Sequence, residues 1–331
     1  MLRDGCFLLH TRNEDPDDLA RSATVRASST APVHGVSPGS PSFHEGLSIW
    51  WDQYNPMITE RLDATRGQLI AVGNDRLDEV EVLLSNDSQE ARTVRAAVRA
   101  VDHVWDYRLE SGPALFEGEL EVNPGGPSWY SLPVALDLSD RPAGSFLRLD
   151  LFANDGVLWH VAGPVLPGQV AMFEITSGRM RTYQQGVTMS FRVSPAQRPY
   201  PAENVLSGWT RPYQATNLWR SDPAQPLDQW LELGWQTPVT VSQVELTFPG
   251  HLLREYHAYG PYYRDPQTPM RYSIEVATST GEWERVAEAR DNYQRHRRHT
   301  LTRARTVTSL RVVVHETNGD PSAAIYEVRC Y

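Results

Sequence analysis

Lysine is missing from this chain: all 31 basic residues are arginine. A GC-rich coding bias accounts for the replacement. It still removes chemistry, because there can be no Schiff-base lysine, no phosphate-loop lysine and no Ser–Lys dyad. Cysteine is nearly absent. Cys6 and Cys330 stand at opposite ends, which excludes a disulfide framework or a metal knuckle. Cys330 alternates with Arg329 and Tyr331 in a closing strand pattern and reads as a buried free thiol. No apolar run reaches the length of a membrane-spanning helix. Positive charge is in deficit, with 41 acidic residues and a net charge of −10. That excludes the basic footprint of a nucleic-acid partner and attraction to an anionic membrane. The start has no signal-peptide pattern, since CFLLH is short and acidic residues follow. As a complete chain the protein would stay in the cytoplasm.

Catalytic signatures are also missing. There is no G-x-G-x-x-G after a strand, no phosphate loop, no H-E-x-x-H and no C-x-x-C. G-x-S-x-G occurs once, at Gly35 to Gly39. A nucleophile elbow needs a strand before its serine and a helix after it, and Pro32, Pro38 and Pro41 argue against both. His296 and His299, in RHRRH, are spaced like metal ligands but read as a solvated strand end or loop. The catalytic-residue expectation is therefore none.

What the chain has in plenty is short alternating segments between Pro and Gly turns. Its 331 residues allow two domains, and 10 Trp and 14 Tyr supply aromatic cores or surfaces. The boundaries read as an N-terminal extension and linker over 1–45, a β-sandwich over 46–195 and a second β-domain over 196–331. The first domain offers strands at 67–73, 78–86, 93–105, 114–122, 128–136, 145–153 and 157–162. Short helices are allowed at 58–67 and 168–175. A segment at 187–193 closes the first domain or opens the second. In the second, Trp230, Glu232 and Gly234 share one strand face, and Leu231, Leu233 and Trp235 the other. The pattern at 239–248 slips by one residue, as a bulge or a bend between sheets would make it. A faint repeat, 75 residues from Gly73 to Arg148 and 77 from Gly234 to Arg311, suggests two similar sandwiches in tandem. The fold class is all-β. Trp219 and Trp230 are expected in the core.

The runs ENVLSGWTRP (203–212), NLWRSDP (217–223), QWLELGW (229–235), RYSIEV (271–276) and the closing LRVVVHETNGDPSAAIYEVRCY (310–331) resemble a discoidin-type, galactose-binding-like domain. Such jelly rolls occur in blood coagulation factors and in bacterial carbohydrate-binding modules. The whole chain is also similar to the C-terminal accessory region of bacterial FAD-dependent oxidoreductases, where a segment like residues 2–30 marks the junction with the flavin domain. Alone, this chain has no dinucleotide fingerprint to hold FAD.

In a jelly roll the loops at one end form the ligand surface. Three loops here carry aromatic rings for a sugar's C–H face and polar groups for its hydroxyls. The candidate ligand residues are Tyr213 and Asn217, then Arg254, Tyr256, His257, Tyr259, Tyr262 and Arg264, then Asn292, Tyr293 and Arg295. The expected partner is carbohydrate. Tyr-rich loops also suit a half-wet domain interface, so docking on a catalytic flavin domain stays open. A glycoside-active enzyme is the third reading and needs two carboxylates about 5–10 Å apart in one cleft. No cofactor is expected. The discoidin resemblance does imply a structural Ca²⁺ at Asn204, Ser207 and Glu327, weakened because Ser207 stands where an acidic residue is usual.

Overall fold

Period-two alternation becomes strand almost everywhere in the computed structural model. It describes residues 12–38, 40, 59–162, 166–176, 178–183, 187–250, 264–277 and 281–331. Among these, helix is confined to two 3₁₀ turns, Leu19–Ser22 and Ala202–Leu206, and no helix is long and apolar enough to cross a membrane. The chain forms two β-sandwich units. The segments that allowed short helices are extended instead. Thr59–Arg61, Arg66–Ala71 and Ala171–Thr176 are strands. Short apolar runs do not distinguish helix from buried strand by periodicity, and sheet partners decide.

The units are not sequential blocks. One holds residues 12–31, 200–212 and 217–331, and the other holds 32–199 and 213–216. The segment 1–45 is thus no simple extension and linker where it is described. Thr24–Ala27 is an edge strand of the C-terminal unit, paired with residues 231–234. Val33–Val36 pairs with Phe191–Gln197 in the other unit. That pairing also places 191–197 in the first sandwich.

In the C-terminal unit the sheet order is Thr24–Ala27, Gln229–Thr247, His296–Thr317, Pro269–Ala277, Trp283–Ala289, with Glu327–Cys330 also on Gln229–Thr247. The two long strands shift register between Gly234 and Val239 and again between Val241 and Gln243. Each therefore bends and serves both layers, as the slip in the sequence predicts. Leu231 and Leu233 from one half pack in the same core as Val244 and Leu246 from the other. Trp219 is fully buried there, and Cys330 is a buried free thiol as expected. Trp230 differs from expectation: it lies on the outer face with Glu232 and is half-buried. Period two fixes which residues share a face, but only neighbouring strands decide which face is covered.

That outer face carries a rung of alternating charge. In direct register run Arg26, Glu232, Arg311, Glu275 and Arg285, one from each of the five strands. Arg26 Nη2 lies 2.7 Å from Glu232, and Arg311 Nη2 lies 2.7 Å from Glu275. The second layer repeats the device with Arg329, Glu245 and Arg298. Opposite charges at facing positions stabilise a strand pair, and the planar guanidinium suits carboxylates better than lysine would.

The other unit stacks a six-stranded sheet on a seven-stranded one. Its central strands, Arg66–Ala71 and Phe146–Leu151, are buried along their whole length. Arg148 and Asp150 form a fully buried pair at 2.7 Å. Arg148 also donates to the carbonyls of Asp106, Arg108 and Leu109, pinning that loop. Gly35, the first glycine of the G-x-S-x-G match, sits in the strand Val33–Val36, so a strand does precede Ser37 despite Pro32. Its φ is +125°, and a Cβ there would lie 2.1 Å from the Phe191 carbonyl oxygen.

Candidate functional site

At one end of the C-terminal unit, three loops are stitched by two asparagines. Asn292 is buried, and its amide donates to the carbonyls of Pro269 (2.8 Å) and Gln294 (3.2 Å). Its side-chain oxygen accepts from Gln294 N and from Arg297 Nη1 at 2.9 Å. Asn318 donates to the carbonyls of Thr268 (2.9 Å) and Asn292 (3.0 Å). The backbone of Asp291 takes φ +59° to make the turn, a conformation in which Asp is among the tolerated residues.

This frame presents a small polar and aromatic patch. Tyr293 is 47% exposed and is the one strongly exposed aromatic among the described residues. The Arg264 guanidinium lies 5.7 Å from its ring centre. Arg264 also pairs with the exposed carboxylate of Asp291 at 2.8 Å and reaches the Asn318 side-chain oxygen at 3.4 Å. A ring held beside a positioned cation and carboxylate offers a face for C–H groups and donors and acceptors for hydroxyls.

The expected ligand set divides. Tyr293 and Arg264 come together as read. Asn292 stands beside them, but its polar atoms are consumed in holding the loops, so it cannot meet a ligand. Arg295 is also structural: it is largely buried, stacks 5.7 Å from the Tyr326 ring and donates to the Thr210 carbonyl. Desolvation lowers its pKa, although a guanidinium keeps its charge regardless. Asn217 is buried at φ +54° and donates to the Arg211 carbonyl. Tyr213 belongs to the other unit, where it stacks on His103 with ring centres 5.4 Å apart. Arg254, Tyr256, His257, Tyr259 and Tyr262 lie outside the described residues. Sequence reading missed Asp291 and Asn318. Asp291 sits inside a loop already singled out, whereas Asn318 sits in Asn-Gly-Asp, which signals only a turn.

The oxygens of the expected metal residues are taken up by protein partners. Glu327 is buried, with one carboxylate oxygen accepting from Arg329 Nη2 at 2.8 Å and the other from Asn13 Nδ2 at 3.3 Å. The Ser207 carbonyl is taken by Arg12 Nε at 2.9 Å and its hydroxyl by Trp209 N. Asn204 donates its amide to the Leu218 carbonyl. No group of three His, Cys, Asp or Glu suited to a metal occurs among the described residues. Calcium requires six to eight oxygens, and the donor set present does not fit it.

One set of side chains among the described residues has the look of a hydrolytic site. Asp228, His315 and Ser273 form a chain, with Asp228 Oδ1 2.8 Å from His315 Nδ1 and His315 Nε2 3.0 Å from Ser273 Oγ. This imitates a nucleophilic triad. Ser273 is nevertheless fully buried, and its hydroxyl also bonds Glu275 at 3.1 Å, so no substrate reaches it. Six of the buried carboxylates, Asp150, Glu232, Glu245, Glu275, Asp320 and Glu327, are each held by an arginine. None of these six is placed as a free acid of a glycosidase pair. His296 opens the strand His296–Thr317 and bonds Thr247, as a strand end would, whereas His299 lies inside that strand, half-buried against Tyr272 rather than solvated.

No protein-family model and no curated protein matches this chain. Solved structures similar to it include the family 32 carbohydrate-binding module from Streptococcus pneumoniae EndoD, at 21% identity, covering 35% of this chain and 75% of that one, with a TM-score of 0.29. The family 32 module of C. perfringens NanJ in complex with galactose aligns at 17% identity over 40% of this chain and 84% of that one, TM-score 0.31. Chitosan-binding module 1 of a chitosanase/glucanase from Paenibacillus sp. IK-5 aligns at 20% identity over 40% and 85%, TM-score 0.30.

Proposed function

We propose that the C-terminal unit is a non-catalytic carbohydrate-binding module whose contact patch is Tyr293, Arg264 and Asp291. The observation that supports this best is an exposed tyrosine ring beside a guanidinium and a carboxylate, on loops held by buried Asn292 and half-buried Asn318. A ring, a guanidinium and a carboxylate suit weak, reversible contact with a sugar's C–H face and hydroxyl rim rather than covalent chemistry. Prepositioned loops reduce the ordering cost of binding.

The test is a glycan-array screen of the purified chain, followed by titration of any hit against Tyr293→Ala and Arg264→Ala. Each variant should weaken binding about tenfold, which corresponds to about 1.4 kcal/mol. Absence of any glycan ligand for well-folded protein, or undiminished affinity in both folded variants, would remove the reading.

A further inference from the structure

The place where the discoidin resemblance implies Ca²⁺ is instead closed by arginine. A cavity of about 10 Å³ remains there, lined by Arg12, Asn13, Asp18, Arg21, Gly208 and Glu327 among others. That is room for about one water. Both oxygens of Glu327 are occupied, by Arg329 at 2.8 Å and Asn13 at 3.3 Å. Asp18 Oδ1 accepts the backbone N–H groups of Ala20 (3.0 Å) and Cys330 (2.9 Å). Two backbone carbonyls on the 207–208 turn are also spent. Arg12 Nε takes that of Ser207 at 2.9 Å, and Asn13 N takes that of Gly208 at 2.8 Å.

We infer that this guanidinium–carboxylate lock replaces a divalent cation in the C-terminal unit, so the unit folds without metal and is clamped by its own residues 12–18. A calcium ion entering here would have to strip Arg329 and Asn13 from Glu327. Two arginines, Arg12 and Arg21, also line the cavity. Removing a charged partner from a buried carboxylate is costly, and the dication would have too few free oxygens in return. The lock also ties the segment before Thr24 to the last strand, holding the edge strand Thr24–Ala27 in the sheet. This inference does not depend on the carbohydrate reading.

Thermal unfolding of the full chain in excess EDTA and across a Ca²⁺ titration tests it. The expected result is the same midpoint in both. A saturable rise of the midpoint with Ca²⁺ would overturn the inference. Arg329→Gln supplies a second reading. It should lower the midpoint in EDTA, and an Arg329→Gln protein as stable as wild type would also count against the lock. The wild-type comparison decides on its own if that variant fails to fold.

Discussion

Asp18 and Cys330 lie 312 positions apart, yet Asp18 Oδ1 accepts the Cys330 backbone N–H at 2.9 Å. Tyr331 repeats the connection by donating its hydroxyl to Asp15 at 2.9 Å. Burial raises the Asp18 pKa, partly offset by these backbone donors. The beginning of the described chain and its last strand are therefore one local structure. Asp18→Ala leaves the N–H groups of Ala20 and Cys330 without their acceptor and should destabilise the unit by about 1–3 kcal/mol. Urea unfolding followed by tryptophan fluorescence measures this.

Arg311 faces Glu232 on one side and Glu275 on the other. Arg311→Met should cost about 1.5–3 kcal/mol, the range for hydrogen bonds to charged groups. The double variant Arg311→Met, Glu275→Met should lose less than the sum of the two single changes, because the second removes a stranded charge. A double-mutant cycle by denaturant unfolding reads the coupling.

His299 is pressed against Tyr272, with Nε2 2.9 Å from its hydroxyl. Burial, and then the nearby Arg297, push its pKa down from 6.5 to about 4. The unfolded chain therefore takes up this proton at higher pH than the folded one. The stabilising effect of the neutral ring is complete above pH 6.5 and is lost as pH falls toward 4. Melting midpoints should decline over that window, and His299→Gln should flatten the decline. An unchanged pH profile in that variant would show that His299 is not responsible.

Gly35→Ala should prevent normal pairing of Val33–Val36, because the added Cβ would lie 2.1 Å from a backbone oxygen at a positive φ. A cost of about 1–3 kcal/mol or more follows from forcing an L-residue into such a conformation. Ser37→Ala should leave stability nearly unchanged. Calorimetry of both variants separates the backbone role of the motif from any role of its serine.

The division between what was legible and what was not follows the range of the interactions. Alternation is a local property. Strands such as 114–122 and 157–162 were readable to the residue, and the bulge near Val241 showed as a slip in the pattern. The face carrying Leu231, Leu233 and Trp235 was readable for the same reason. Trp230 was misjudged because alternation places it with Glu232 and Gly234 but does not say which face of the strand is buried. Asn217, Asn292 and Arg295 were misjudged because polar side chains on a loop look identical in sequence whether they reach solvent or the loop's own carbonyls.

By itself, then, the sequence determined an all-β chain, rich in arginine and without lysine chemistry, and placed Tyr293 and Arg264 on loops. Only the tertiary structure decided that residues 24–27 join a sheet with 231–234, that Glu327 is answered by Arg329 and Asn13, and that Asp291 and Asn318 complete the patch. Strand edges and buried charges choose partners across more than 200 residues of chain, as Thr24 does with Gly234. Such choices depend on which donors and acceptors are left unsatisfied once every other strand is in place.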